Sequence, residues 1–191
     1  MSRLSKKPIS VSRNINSTFK NGIFEVNGPN GKLSLVINSK ITIKICDFNI
    51  FVEALEESRK SNVLRGLTRG LIVNMIKGVE HSFKKELEVV GLGYKVNIEN
   101  NENGFKKLVL SVGFSHLVNL CIPYDIKVNT NIMANKNTII TVVGIDKYKV
   151  GAFAAQIRLV KPPEPYKGFG IRYLTENILR KAGKAAASMK K

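Results

Sequence analysis

Ser61-Asn-Val-Leu-Arg-Gly-Leu-Thr-Arg-Gly-Leu-Ile-Val-Asn-Met-Ile-Lys-Gly78 decides the fold, because it has a helical period and stands between two runs of strand-like sequence. Leu64, Leu67, Leu71 and Met75 form one apolar stripe. Ile72 and Ile76 lie on another side, so broad burial is expected. Ser61 or Asn62 is placed to cap the start, and Gly78 stands near the end. Arg65 and Arg69, four apart, share a face. Upstream, Ile23, Phe24 and Val26 precede Asn27-Gly28-Pro29-Asn30-Gly31, a dense turn signal. Lys32 to Ile37 partly alternates, and Ile41 to Cys46 alternates as a half-buried strand should. Asp47 and Asn49 suit a turn into Ile50-Phe51-Val52.

Downstream the pattern restarts. Glu86 to Val90 and Tyr94 to Ile98 are one long strand or a pair, broken at Gly91-Leu92-Gly93. Asn100 to Gly104 is a turn, and Phe105 to Val112 a strand. Parts of 117–122, 126–129 and 138–143 follow as strands. Asp146 is a good N-cap for a second helix, in which Val150, Phe153, Ala154 and Ile157 fit the amphipathic template. Pro162-Pro163 must stop it by Lys161. The expected class is therefore α+β: two similar small domains, residues 1–82 and 83–191, each a mostly antiparallel sheet packed against a helix, with a basic C-terminal tail.

The chain has 191 residues, 43% of them hydrophobic, enough to bury a core. Lys and Arg total 31 against 14 acids, a formal charge of +17. That balance disfavours an ordinary acidic metabolic enzyme. It points to a polyanion, nucleic acid before an acidic membrane surface. Residues 1–20 hold +5 and residues 156–191 hold +7, so the ends carry +12 of the total. A nearly balanced scaffold with basic grips is expected, although a basic end can also be a loose tail. No apolar run approaches the ~20 residues of a membrane span. Cys46 and Cys121 make no C-x-x-C pair and are expected as reduced core residues.

Lys161-Pro-Pro-Glu-Pro-Tyr-Lys-Gly-Phe-Gly-Ile-Arg-Tyr173 is the most informative motif. Its prolines fix an extended backbone and hold Lys167 forward. Gly168 and Gly170 allow a close backbone approach. Tyr166, Phe169 and Tyr173 interleave with Lys161, Lys167 and Arg172. Such a loop suits RNA phosphates and exposed bases. It equally suits a rigid connector with its aromatics inward and its cations solvated. Pro162-x-x-Pro165 is also a minimal SH3-type ligand, which leaves the glycines and later cations unexplained. Neither Gly168-x-Gly170 nor Gly91-x-Gly93 has the third glycine or the context of a phosphate loop. Ser115-His116 invites a catalytic reading, but neighbours do not form a nucleophile–base pair by default. No catalytic set, metal site, cofactor or small-molecule substrate is expected. The tail from Thr175, with Arg180, Lys181 and Lys184, is Ala-rich and basic and would order on a polyanion.

Pro163 to Tyr173 resembles the C-terminal hallmark of the sixth large-subunit ribosomal protein family, bacterial type. So do, in order, Met1-Ser-Arg-x-x-Lys-x-Pro8, Gly28-x-Asn30-Gly31-x-Leu33, Arg69-Gly-Leu-x-x-Asn-Met75, Leu87-x-Val-Val-Gly-x-Gly-Tyr94, Leu110-Ser-x-Gly-Phe-Ser-His116 and Arg180-Lys-Ala-Gly-Lys184. The resemblance implies a structural, non-enzymatic constituent of the large subunit. It would bind and shape rRNA near the stalk base and factor-binding region, supporting translation. Neighbouring ribosomal proteins and passing translation factors would be its partners. By motif, the expected rRNA contacts are Lys161, Tyr166, Lys167, Gly168, Gly170, Arg172, Ser115 and His116, with Arg180 and Lys184 behind them. Phe169 departs from the family's usual Lys and puts a phosphate contact there in doubt. The basic, Ser-containing start could pass for a transit peptide, but its match to the family's mature start argues against cleavage. The expected setting is bacterial cytoplasm, with an organelle-encoded copy as the alternative. A non-ribosomal basic nucleic-acid binder without sequence preference is the competing class.

Overall fold

The computed structural model describes residues 7–46, 48–56, 58–100, 106–133 and 137–183. The expected turns at Asp47 and across 101–104 lie outside the described residues. The described residues up to Phe83, with Ile145–Lys147, form one compact unit, and those of Lys84–Gly144 and from Tyr148 onward form a second.

The first unit runs β1 (Ile9–Ser10), β2 (Asn16–Lys20), β3 (Ile23–Gly28), β4 (Gly31–Val36), β5 (Ile41–Cys46), β6 (Asn49–Ala54) and α1 (Arg59–Glu80). The second holds β7 (Phe83–Val90) and α2 (Lys147–Val160), each but for its first residue, together with β8 (Lys95–Asn100), β9 (Lys106–Ser111), β10 (Val118–Cys121), β11 (Ile126–Ile132), β12 (Thr138–Gly144) and β13 (Gly170–Tyr173). This is α+β, with a helix and antiparallel strands in each unit. The strands of each unit divide between two small sheets. β2-β3-β4 and β1-β6-β5 serve the first; β8-β9-β10 and β11-β12-β7-β13 serve the second. The order six strands then helix occurs twice, with matching sheet orders. β13 is the addition that has no counterpart among the described strands of the first unit.

Local chemistry explains the hairpins. Asn21 and Gly22 both adopt positive φ, 53° and 76°, and link β2 to β3 in the manner of a two-residue primed turn. Pro29-Asn30 closes β3 onto β4 in the register Gly28↔Gly31. β1 and β2 were not legible as strands: β1 has two residues, and β2 is the polar run NSTFK with no fully buried position.

α1 packs across β3, β4, β5 and β6. It buries Ser61, Thr68, Ile72, Ile76, Gly78 and Val79 over Phe24, Val26 and Ile50. Each fully buried Ile, Val or Phe contributes about 1.5–3 kcal/mol. The leucine stripe is corrected in part: Leu67 is 58% and Leu71 40% exposed, while Leu64 and Met75 are partly buried against the core. Two apolar lines run along this helix, and the sheet takes the isoleucine line. The cap moves as well. Ser58 is the N-cap, while Ser61 lies buried in the first turn facing inward. Cys46 and Cys121 are corrected too: both are exposed, each the last residue of its strand, where the cover of the sheet ends.

α2 begins directly after Asp146 and buries Val150, Phe153, Ala154 and Ile157, as its periodicity requires. Leu87, Leu108, Leu110, Ile140 and Ile171 are fully buried in this second unit. No helix among the described residues is long and apolar enough to cross a membrane.

Candidate nucleic-acid interface

The proline segment is one arm of a hairpin whose other arm becomes β13. Ile171 N–H donates to Lys161 O at 2.8 Å, and Glu164 N–H donates to Phe169 O at 2.8 Å. Gly168 N–H closes the tip onto Glu164 O at 3.0 Å. The three prolines, which have no N–H, occupy positions where none of these bonds needs a donor. Gly170 has φ +133°, and a Cβ there would stand 2.6 Å from Pro162 O and 2.8 Å from Pro163 Cα. The buried Gly170 therefore lets the two arms touch. β13 then pairs with β7 in the register Arg172↔Glu88, and Ile171 is fully buried beside it.

The tail folds back on this loop. Lys181 N–H donates to Pro165 O at 2.9 Å. The Arg180 guanidinium lies over Gly168, where an added Cβ would meet its Nη2 at 3.3 Å. Glu176 anchors the turn before it, taking Arg158 Nε at 3.0 Å and Nη2 at 2.5 Å, with Tyr173 N–H at 3.2 Å. The hydrogen bond from Arg158 holds the Glu176 carboxyl below its ordinary value and raises the guanidinium of Arg158. A depressed carboxyl stabilises above the unfolded value, about 4.3, and that contribution is lost as pH falls through the folded value. With side chains 31% and 25% exposed, the pair contributes about 1 kcal/mol or less. The thermal stability difference between wild type and Glu176→Gln is therefore expected to vanish towards pH 3. A difference constant from pH 3 to pH 7 would remove this assignment.

Lys161 connects a second loop. Its Nζ lies 4.7 Å from the ring centroid of Phe114, and Phe114 stacks on His116 at 5.8 Å with 15° between the planes. Ser115 and His116 are exposed between β9 and β10. Tyr166 is 54% exposed, and Lys167 and Arg180 are also exposed. Among the described residues, no carboxylate pairs with Lys161, Lys167, Arg180 or Lys181. Lys184 lies outside the described residues.

Arg172 differs from these. Its Nε and Nη2 donate to Glu88 Oε2 at 2.9 and 2.7 Å, and Asn137 Nδ2 donates to the other oxygen at 2.8 Å. Glu88 is only 9% exposed, so the guanidinium satisfies an interior carboxylate and pins β13 to β7. That pair carries no local sequence signal, its partners being 84 residues apart, and Phe114 is marked only as one residue of the Leu110–His116 motif, not as a contact. The one available signal for Phe114 was its place just after the β9 strand and Gly113, where the chain leaves the interior. Among the described residues, no group of three or more His, Cys, Asp or Glu side chains could hold a metal ion.

Fold and interface together define a class: a duplicated α+β scaffold that presents a basic surface set with aromatic rings. The family model of Ribosomal protein L6 matches residues 8–82 and 90–174, and the chain belongs to that family. It is 45% identical over 185 residues to "Large ribosomal subunit protein uL6c" of Porphyra purpurea, covering 97% of this chain and 98% of the relative. It is 43% identical to "Large ribosomal subunit protein uL6" of Maridesulfovibrio salexigens, covering 97% and 99%. With the protein of the same name from Dictyoglomus thermophilum it shares 46% over 97% and 98%. The chain is a structural constituent of the ribosome's large subunit, from a family that is not enzymatic.

Proposed function

We propose that the protein binds and shapes large-subunit rRNA through its second unit, near the stalk base and the factor-binding region. The observation that carries this is the fixed loop–tail assembly: a proline-stiffened hairpin with Tyr166 and Lys167 at its tip, the Arg180 guanidinium on its glycine, and Lys161 reaching Phe114. Pre-ordering lowers the entropy cost of binding, and the unpaired cations neutralise phosphates and release counterions. Tyr166, Lys167, Lys161, Ser115, His116 and Arg180 meet RNA in this reading, with Lys184 further along the tail. Gly168, Gly170 and Arg172 act by shaping the loop. Recognition is of irregular RNA shape and unstacked nucleotides, since the narrow A-form major groove excludes side chains. The stalk-base position, with neighbouring ribosomal proteins and translation factors close by, follows the family resemblance. The setting is a bacterial ribosome in the cytoplasm; the relative named uL6c keeps an organellar ribosome as the alternative.

The test is a sedimentation profile of native lysate, with this chain followed by mass spectrometry and the co-migrating rRNA sequenced. Migration with large subunits at a stoichiometry near one is expected, and the rRNA sequence tells bacterial from organellar. A chain confined to the light fractions would overturn the proposal.

A further inference from the structure

We propose that Phe114, His116 and Lys161 form a seat for one unpaired RNA nucleotide, its base stacked on the ring pair and its phosphate met by the ammonium. This rests on the rRNA-binding reading and names what one part of the interface takes. Val112 is fully buried, and Gly113, at φ +75°, turns the chain out of the interior. The next residue is a phenylalanine left 42% exposed, with His116 exposed and Leu117 59% exposed beside it. A ring in that position gains little from the core. Its neighbour His116 instead completes a π surface: the two ring planes lie within 15° of parallel with centroids 5.8 Å apart, an offset stack. The Lys161 ammonium at 4.7 Å sits on the electron-rich face of Phe114. A cation beside an exposed stack complements the two halves of a nucleotide, the charged phosphate and the flat base. The base must be unpaired, because bases within an A-form helix are already stacked on both faces. Lys161 is the first residue of the stiff loop, held by its carbonyl to Ile171 N–H at 2.8 Å, so the cation is delivered from a fixed backbone.

Stacking and charge separate by salt dependence. The full chain, its Phe114→Leu, Phe114→Tyr, His116→Gln and Lys161→Gln variants, and a full-length large-subunit rRNA transcript would be titrated at several KCl concentrations. Base reactivity to chemical probes would be read in parallel. Phe114→Leu is expected to weaken binding about 5- to 150-fold, the usual worth of one stacked base, with the slope of log K against log salt unchanged. His116→Gln is expected to do the same more mildly, and Phe114→Tyr to restore wild-type affinity. Lys161→Gln is expected to lower the slope by about 0.7–0.9. One base protected by wild type should regain reactivity with Phe114→Leu. Wild-type affinity in Phe114→Leu with no base regaining reactivity would overturn the proposal. So would an unchanged RNA footprint with loss of a neighbouring protein from subunits assembled on the variant, which would make the rings a protein contact. If wild type prefers the transcript no more than a shuffled RNA, the rRNA reading itself fails. The seat then stands only if Phe114→Leu still loses affinity for the shuffled RNA at constant slope, and falls otherwise.

Discussion

Gly170→Ala is expected to destabilise the second unit by about 3 kcal/mol or more and to unseat the proline loop. Two costs add. The backbone at φ +133° is a region that side-chain-bearing residues rarely adopt. The new Cβ would also stand 2.6 Å from Pro162 O, 2.8 Å from Pro163 Cα and 2.9 Å from Pro162 C, all backbone atoms of a segment the prolines hold stiff. Relief requires the two arms to part. That breaks the Lys161–Ile171 and Glu164–Phe169 bonds and draws the fully buried Ile171 from the interior. Gly151→Ala is the control. Gly151 lies within α2 with open space around its Cβ position, and alanine there should stabilise by about 0.5–1 kcal/mol. Urea unfolding followed by circular dichroism compares the two. Equal midpoints for Gly170→Ala and wild type would show that the arms are not held together as described.

Lys161→Ala, Lys167→Ala and Arg180→Ala combined should weaken binding to large-subunit rRNA about 100-fold near physiological salt. That figure takes roughly 1 kcal/mol for each contact, the upper end of the usual range for exposed ion pairs. The slope against log salt should fall by about 2–3 if all three meet phosphates. The fold should survive, since Lys167 and Arg180 are exposed and none of the three pairs with a carboxylate among the described residues. Arg172 is left out deliberately: its removal would strand the buried Glu88 and confound binding with unfolding. Lys32→Ala with Lys44→Ala, two cations outside the loop and tail, is the control. These lysines pair with Glu25 and Glu53 at 2.8 and 2.7 Å, and the Glu53 hydrogen bond raises the Lys44 ammonium above its ordinary value. A triple variant that binds like this control would reject the loop and tail as the grip.

The two helices show what periodicity can and cannot carry. α2 has one apolar line, so Val150, Phe153, Ala154 and Ile157 could face only one way, and they are its buried residues. α1 has two. Leu64-Leu67-Leu71 and Ile72-Ile76 are equally helical, and helical spacing contains nothing about which meets a sheet. β13 shows the same boundary among strands. Gly-Ile-Arg-Tyr is too short and too glycine-bounded to announce itself. It becomes a strand because the edge of β7 lies open to it and Ile171 finds an interior.

Composition, turn chemistry and motif order by themselves determined the α+β class, the repeated succession of strands and helix, the basic ends and the family. Each of these depends on residues close together in the chain or on sums over it. Only the tertiary structure decided which line of α1 is buried, that Arg172 serves Glu88 from 84 residues away, that the tail lies on the proline loop, and that Phe114 is offered outward beside Lys161. Those outcomes depend on partners far apart in sequence. Local propensity is silent about such pairs, because the free energy that selects them arises only once both surfaces have left water together.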